Sequence, residues 1–436
     1  EFGKLRHGIG AGDILYFRGG IYTERSYQQG NFILRLDGKE LTDPHRPLAL
    51  IAFPGEKPLV QDLYFNDRGP SVGFGLGSNT VVSGFSFNTV ETAISAKGNN
   101  VRVIGNDTVG VQKASRQGTG IITSGSPTGT GSRNIILGNS VHGGRGGYRL
   151  DHAIYIKGCA SDGGQVVAWN HVFDNDFGRG PLISVNHMDD RRLRPPNRCK
   201  DGQVMDGHLI FSNRVDCKLQ RATAVGIYDL SYKPGEPEPE PTVVFNNIFH
   251  RCGTYEHDKK RNIREAFAAT LENGSGHFYH NTWFDTGFRA LLIGNDKSRG
   301  RLDAVFKNNI FHMNPAAGSK DVGYLTFSTN PRGTPAKFDR VVIEGNVFVG
   351  AQDRTSCEPN GCIADRNNQY LKNGTEVFAN EAEGDVRLSI NSAAKDAGEL
   401  VSLPRNIGFK PAWVRLDRDI DFRPRSGRVD AGAIER

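Results

Sequence analysis

A short pattern recurs along the chain: an apolar strand, a turn-prone residue, Asn, and then a second apolar strand. It closes on Asn106, Asn139, Asn170, Asn213, Asn247, Asn281, Asn309 and Asn346, at intervals of 33, 31, 43, 34, 34, 28 and 37 residues. Self-similarity at such a period marks a stacked architecture in which each unit buries its apolar face only against its neighbours. The uneven intervals imply a constant coil that carries insertions. Asn suits a sharp corner because it tolerates left-handed backbone geometry better than most residues with a side chain. The repeat therefore predicts Asn in that geometry, with its side chains bonding along a ladder from coil to coil.

Other strands with period-2 alternation lie between these marks: Ala153 to Lys157, Leu182 to Asn186, Ala224 to Tyr228, Phe267 to Leu271 and Leu291 to Ile293. Each coil thus supplies two or three strands of about 3–6 residues, separated by Gly, Asn and Asp turns. Amphipathic helical periodicity is scarce, and Gly contributes 54 of 436 residues. A propeller needs a four-strand blade with its own signature, which is missing, and a sandwich would not repeat at this period. The pattern predicts a parallel β-helix forming a single domain over 1–436, with long insertions near 187–203, 231–241 and 251–264. No apolar run approaches the roughly 18–20 residues of a spanning helix, so no membrane partner is expected.

The opening Ala11-Gly12-Asp13-Ile14-Leu15-Tyr16-Phe17-Arg18-Gly19-Gly20-Ile21-Tyr22 resembles the first coil of secreted β-helix proteins of the pectate-lyase-like superfamily. The tail, from Ser392 to Gly398 and from Asp421 to Ala433, resembles the ending of many of them. With the Asn repeats between, the resemblance spans nearly the whole chain. It implies an all-β fold, a right-handed parallel β-helix, and a secreted, periplasmic or cell-surface protein that works on a carbohydrate polymer. The superfamily hosts lyases, hydrolases, epimerases and inert spikes, so the chemistry must come from the site.

Six cysteines are present, and none forms a C-x-x-C pair, which argues against structural zinc. Cys357 and Cys362 flank a Pro-Gly loop and are expected to bond to each other. The pairing of Cys159, Cys199, Cys217 and Cys252 stays open. This usage leans toward an oxidising compartment, and the abrupt start at Glu1-Phe2 is consistent with a removed leader. The net charge of +6 suits an anionic partner and is equally ordinary for a surface of this size. With no nucleic-acid module in view, the expected partner is an acidic polysaccharide or oligosaccharide acted on by a monomer.

Alternation places Ile154 and Ile156 inward and Tyr155 and Lys157 outward. The next comparable strand presents Ser184 and Asn186 outward and ends at His187, and later coils add Tyr228 and Glu272. Two basic insertions border this face, one from His187 to Lys200 and one from Arg251 to Arg264. Insertions of such length are usually functional or disordered. A third, from Lys233 to Pro241, alternates Pro and Glu and carries no assigned chemistry.

Cleaving a uronic acid glycoside by β-elimination requires neutralising the carboxylate, removing the C5 proton and protonating the leaving oxygen. The catalytic candidates are Lys157, His187, Tyr155, Arg192, Tyr228 and His152. Arg191 and Arg194 are expected to hold the substrate carboxylate by paired hydrogen bonds, with Asn186, Tyr255, His257 and Glu272 completing the binding set. Asp189 and Asp190 are candidate Ca²⁺ ligands, since that cation prefers oxygen donors. Each has a plainer reading as a wall residue, a solvated lysine or a self-compensating charged loop. Tyr148-Arg149-Leu150-Asp151-His152 resembles the Tyr-x-x-Asp-Pro-His run of mannuronan C5-epimerases, but lacks its Pro, which moves His152 to the other strand face. The leading expectation is a polysaccharide lyase. One alternative is a glycoside hydrolase drawing a carboxylate pair from Asp151, Asp189, Asp190, Asp229 and Glu272, at about 5–9.5 Å separation. The other is a non-catalytic carbohydrate-binding or adhesin β-helix.

Overall fold

The apolar runs on either side of each repeated Asn fold as consecutive strands joined by a two-residue corner. Arg102–Ile104 and Asp107–Val109 flank Gly105 and Asn106, and Ile135–Leu137 and Ser140–His142 flank Gly138 and Asn139. A longer connection then leads to a third strand, such as Thr119–Thr123 or His152–Lys157, before the next coil begins. The computed structural model describes residues 8–23, 32–36, 43–61, 72–89, 91–109, 119–123, 131–144, 152–157, 163–175, 181–187, 207–217, 223–229, 240–253, 267–272, 274–287, 289–294, 302–314, 323–328, 340–350, 362–405 and 407–436. No α-helix occurs among the described residues.

Each coil strand pairs in parallel with its counterpart one coil later, generating three sheets, here named A, B and C in the order the chain visits them, while Phe378–Asn380 and Asp385–Leu388 form a separate antiparallel pair. The winding is that of a right-handed parallel β-helix, as the sequence predicts. The chain divides into two compact units, Glu1–Met205 and Asp206–Arg436, each built of the same coil.

In the first unit, the register Leu34–Phe74–Ile94–Ile121–Ile154–Ile183 runs along the inner side of sheet C. Leu50, Val82, Val103, Ile136 and Val167 do the same on sheet A. All of these are essentially inaccessible. In the second unit the inner row of sheet B is aromatic: Trp283 stacks on Phe311 at 4.6 Å, and Phe311 on Phe348 at 5.1 Å. Truncating one such buried ring would cost about 3–5 kcal/mol.

The Asn ladder forms, with one correction to its expected geometry. The left-handed residue is the one before each Asn: Gly105, Gly138, Trp169, Ser212, Asn246, His280, Asn308 and Gly345, with φ between 53° and 64°. The Asn itself turns its side chain into the corner, where it is buried. Asn139 shows the pattern. Its Oδ1 accepts the backbone N–H and side-chain Nδ2–H of Asn106 at 2.9 and 3.1 Å, and its Nδ2 donates to the Val103 carbonyl at 3.0 Å and to Asn170 Oδ1 at 2.9 Å. The bonds satisfy corner groups that burial would otherwise leave unpaired, and they offset the strain of a left-handed non-glycine neighbour.

The C-terminal segment lies across the A–B corner of the second unit. Asn246 Nδ2 donates to the Arg418 carbonyl and Asn308 Nδ2 to that of Glu399, each at 2.6 Å, while Ala433 N–H reaches Thr282 Oγ1 at 3.0 Å. Within it Arg425 is buried, bonding Glu435 Oε2 at 2.7 Å, the Gly432 carbonyl at 2.9 Å and Asn246 Oδ1 at 3.3 Å. A disulfide joins Cys217 to Cys252, which follow consecutive strands of sheet B. The expected Cys357–Cys362 bond falls outside the described residues.

Candidate functional site

In chain order, the longest connections leave or enter a sheet C strand. The A-to-B corner takes two residues, whereas the chain from His187 to Leu209 and from Asp229 to Thr242 leaves a sheet C strand, and that from His250 to Phe267 enters one. Long excursions from a rigid scaffold are where binding and catalytic residues concentrate.

In the first unit, Ile154, Ile156, Ile183 and Val185 line the core. Tyr155 pairs in register with Ser184, and Lys157 with Asn186, on the alternate rows of adjacent strands, about 4.8 Å apart. The outer row is not open along its whole length. Tyr155 is only 5% exposed, and its ring lies 4.7 Å from that of His152. The expectation of a freely outward tyrosine is thus corrected: the ring folds against its neighbour and forms part of the wall.

His152 needs the larger correction. It is buried, and its Nδ1–H donates to the Pro181 carbonyl at 2.7 Å. Burial pushes the imidazole down to about 4, against a smaller opposing effect of that bond, so the ring is neutral at ordinary pH. It ties one coil to the next and cannot reach a substrate on the outer face.

In the second unit, Tyr228 pairs in register with Glu272, and its hydroxyl accepts a hydrogen bond from Thr270 Oγ1 at 3.0 Å. The side chains of Lys157, Asn186, His187, Asp229 and Glu272 lie outside the described residues, as do Asp151, Asp189, Asp190, Arg191, Arg192, Arg194, Tyr255 and His257 altogether. Among the described residues, no group of three or more His, Cys, Asp or Glu side chains comes together to hold a metal ion.

Likeness to known proteins is confined to solved structures. Two structures of the PL6 family alginate lyase AlyGC match at 12% and 13% identity with TM-scores of 0.44 and 0.42, covering 96% and 85% of this chain. The chain spans 58% and 52% of their length. The PL6 family polysaccharide lyase Pedsa3628 from Pseudopedobacter saltans matches at 11% identity and a TM-score of 0.45, over 94% of this chain and 98% of that one. Pectate lyase Pel9A matches at 14% identity and a TM-score of 0.40, over 100% and 90%. No family model and no curated protein matches the chain.

One polar constellation escapes the sequence reading. On the outer side of sheet A in the second unit, Asp303 Oδ2 accepts from His277 Nε2–H at 3.0 Å and from Ser275 Oγ at 3.2 Å. His277 Nδ1 then carries a lone pair and accepts the Tyr279 hydroxyl proton at 3.0 Å. Burial and the Asp303 charge push the Tyr279 phenol up, so it stays protonated. Burial alone would raise the Asp303 carboxyl, but the hydrogen bond and charge of His277, with Arg340, hold it low. With Tyr279 4% and His277 6% exposed, the relay is covered, and it ties strand Gly274–Tyr279 to strand Leu302–Lys307. The signal was the alternation Ser275, His277, Tyr279, which becomes legible only once the outward rows are known.

Proposed function

We propose that this chain is a secreted polysaccharide-active enzyme, a lyase that cleaves a uronic-acid-containing polymer by β-elimination along sheet C. The reading is supported by two long basic connections, one leaving and one entering a sheet C strand in chain order, together with in-register strands bearing Tyr155 and Lys157 opposite Ser184 and Asn186. Arg191, Arg192 and Arg194 would neutralise the sugar carboxylate and so acidify the C5 proton. Lys157 and His187 would remove that proton and protonate the leaving oxygen, with Tyr228 serving the same chemistry. Tyr255 and His257 would bind flanking sugars.

Asp189 and Asp190 would supply oxygen donors of the kind Ca²⁺ prefers, and the ion would add positive charge beside the substrate carboxylate. The Cys217–Cys252 disulfide supports an oxidising destination, and the enzyme is proposed to act as a monomer. The test is incubation with acidic and neutral polysaccharides while following unsaturated-uronate absorbance and total reducing ends. Elimination raises both on a polyuronate. Reducing ends without unsaturated product would replace this reading by hydrolysis, and neither signal on any polymer would leave a binding protein.

A further inference from the structure

Two ring stacks stand on the outer side of sheet B, one in each unit. In the second unit, His250, Phe284 and His312 succeed one another with centroid separations of 5.4 and 4.8 Å. Asp216 lies 3.7 Å from His250 Nδ1. The chain's own C-terminal segment occupies this stack. Phe378 meets Phe284 and His312 edge to face at 5.0 and 5.6 Å, and the Glu381 carboxylate pairs with His312 Nε2 at 2.7 Å.

In the first unit the same chemistry recurs. His142 stacks on Phe173 at 4.6 Å and 11°, the His171 ring lies 4.3 Å from Phe173, and Asp107 Oδ1 pairs with His142 Nε2 at 2.9 Å. Here the stack faces solvent: His171 is exposed, and His142 and Phe173 are partly so.

We propose that the His142–Phe173–His171 stack is an accessory binding site for a carboxylate-bearing sugar of an acidic glycan. The occupant follows from what the chain lays on the matching stack, a carboxylate on an imidazole beside a flat apolar group. Stacked rings present their electropositive edges outward, and imidazole N–H groups add charge-assisted hydrogen bonds to an anion. A uronate offers both halves, its carboxylate for the exposed edge of His171 and its C–H face for Phe173, the Nε2–H of His142 being given to Asp107. Asp107 fixes the His142 ring. The site rests on the reading that the polymer is acidic, and it would hold the chain beyond the cleavage point, so its loss weakens polymer binding and spares short substrates.

The experiment is affinity electrophoresis of the full chain through gels containing alginate, polygalacturonate or dextran, alongside turnover of a uronate trisaccharide. Wild type is expected to be retarded by a polyuronate and not by dextran. His171→Ala and Phe173→Ala each weaken retardation about ten-fold and leave trisaccharide turnover unchanged, whereas Lys157→Ala loses turnover and keeps retardation. His171 is exposed, so its truncation leaves the thermal midpoint in place. Unchanged retardation in both stack variants overturns the site, as does equal retardation by dextran. Displacement by polyglutamate but not by an oligouronide overturns it in favour of an acidic protein partner. Retardation that depends on His171 while no uronide is ever cleaved supports this site and defeats the lyase reading instead.

Discussion

Replacing Asn281 by Ala tests the ladder where it is fully enclosed. Its Oδ1 accepts the Asn247 backbone N–H at 3.1 Å and the Asn247 Nδ2–H at 2.9 Å, and its Nδ2 donates to the Val244 carbonyl at 2.8 Å and to Asn309 Oδ1 at 3.0 Å. After truncation, Asn247 Nδ2 keeps the Ile210 and Phe245 carbonyls, and Asn309 Oδ1 keeps the Asn281 N–H. The Asn247 N–H loses its side-chain acceptor at a position with no access to water. An orphaned buried donor costs about 1–3 kcal/mol, and each of the three other lost bonds about 0.5–1.5 kcal/mol, so the substitution should cost about 3–7 kcal/mol. For a cooperative unit of this size, at about 2–4 °C per kcal/mol, that is a fall of at least about 6 °C in the midpoint, read by far-UV circular dichroism and by urea titration. Asn368 supplies the comparison. It accepts from Asn346 at 2.9 and 3.1 Å and donates to the Ile343 carbonyl at 2.9 Å. It stands at the ladder's partly accessible end, where water replaces lost partners, so Asn368→Ala should cost only about 1–2 kcal/mol. If Asn281→Ala stays within about 0.5 kcal/mol of wild type, or the end position proves as costly as the middle, the ladder does not hold the corners.

Lys157→Ala, His187→Ala and Arg192→Ala should each lower turnover on a polyuronate by about 10²–10⁴-fold with little change in midpoint; full activity in all three places the groove elsewhere. Burial depresses His152 to about 4, so the unfolded chain binds its proton first. The corresponding stability is present above about pH 6.5 and drains away as pH falls toward 4, about 3 kcal/mol in all. His152→Gln should flatten the urea midpoint's dependence on pH across that window, and an unchanged slope would show that His152 is not the group responsible. Reducing Cys217–Cys252, which are 35 residues apart in sequence, should cost about 3–4 kcal/mol through unfolded-state entropy; a Cys217→Ser, Cys252→Ser double variant with the parent's urea midpoint would contradict this.

By itself, the sequence determined the coil and its corners. In a solenoid each repeat meets only its neighbours, so the local pattern that turns one corner turns them all, and the recurrence of Asn at Asn106, Asn139 and Asn170 writes that requirement into one dimension. The inward rows of Ile154, Ile156 and Ile183 were legible for the same reason, since period-2 alternation sorts the two sides of a strand. Which corner residue goes left-handed was not. That depends on the buried Asn side chain finding donors and acceptors one coil away, which displaces the strained geometry onto its predecessor, whether Gly138 or Trp169. Beyond the Asn ladder, contacts between coils were likewise hidden, because connections of unequal length decide which residues come level. Tertiary structure alone paired Cys217 with Cys252, set His277 between Asp303 and Tyr279, and enclosed His152 against the Pro181 carbonyl. It also laid Glu381 on His312, 69 residues away, a partnership that exists only once the coils have stacked and brought the end of the chain back across them.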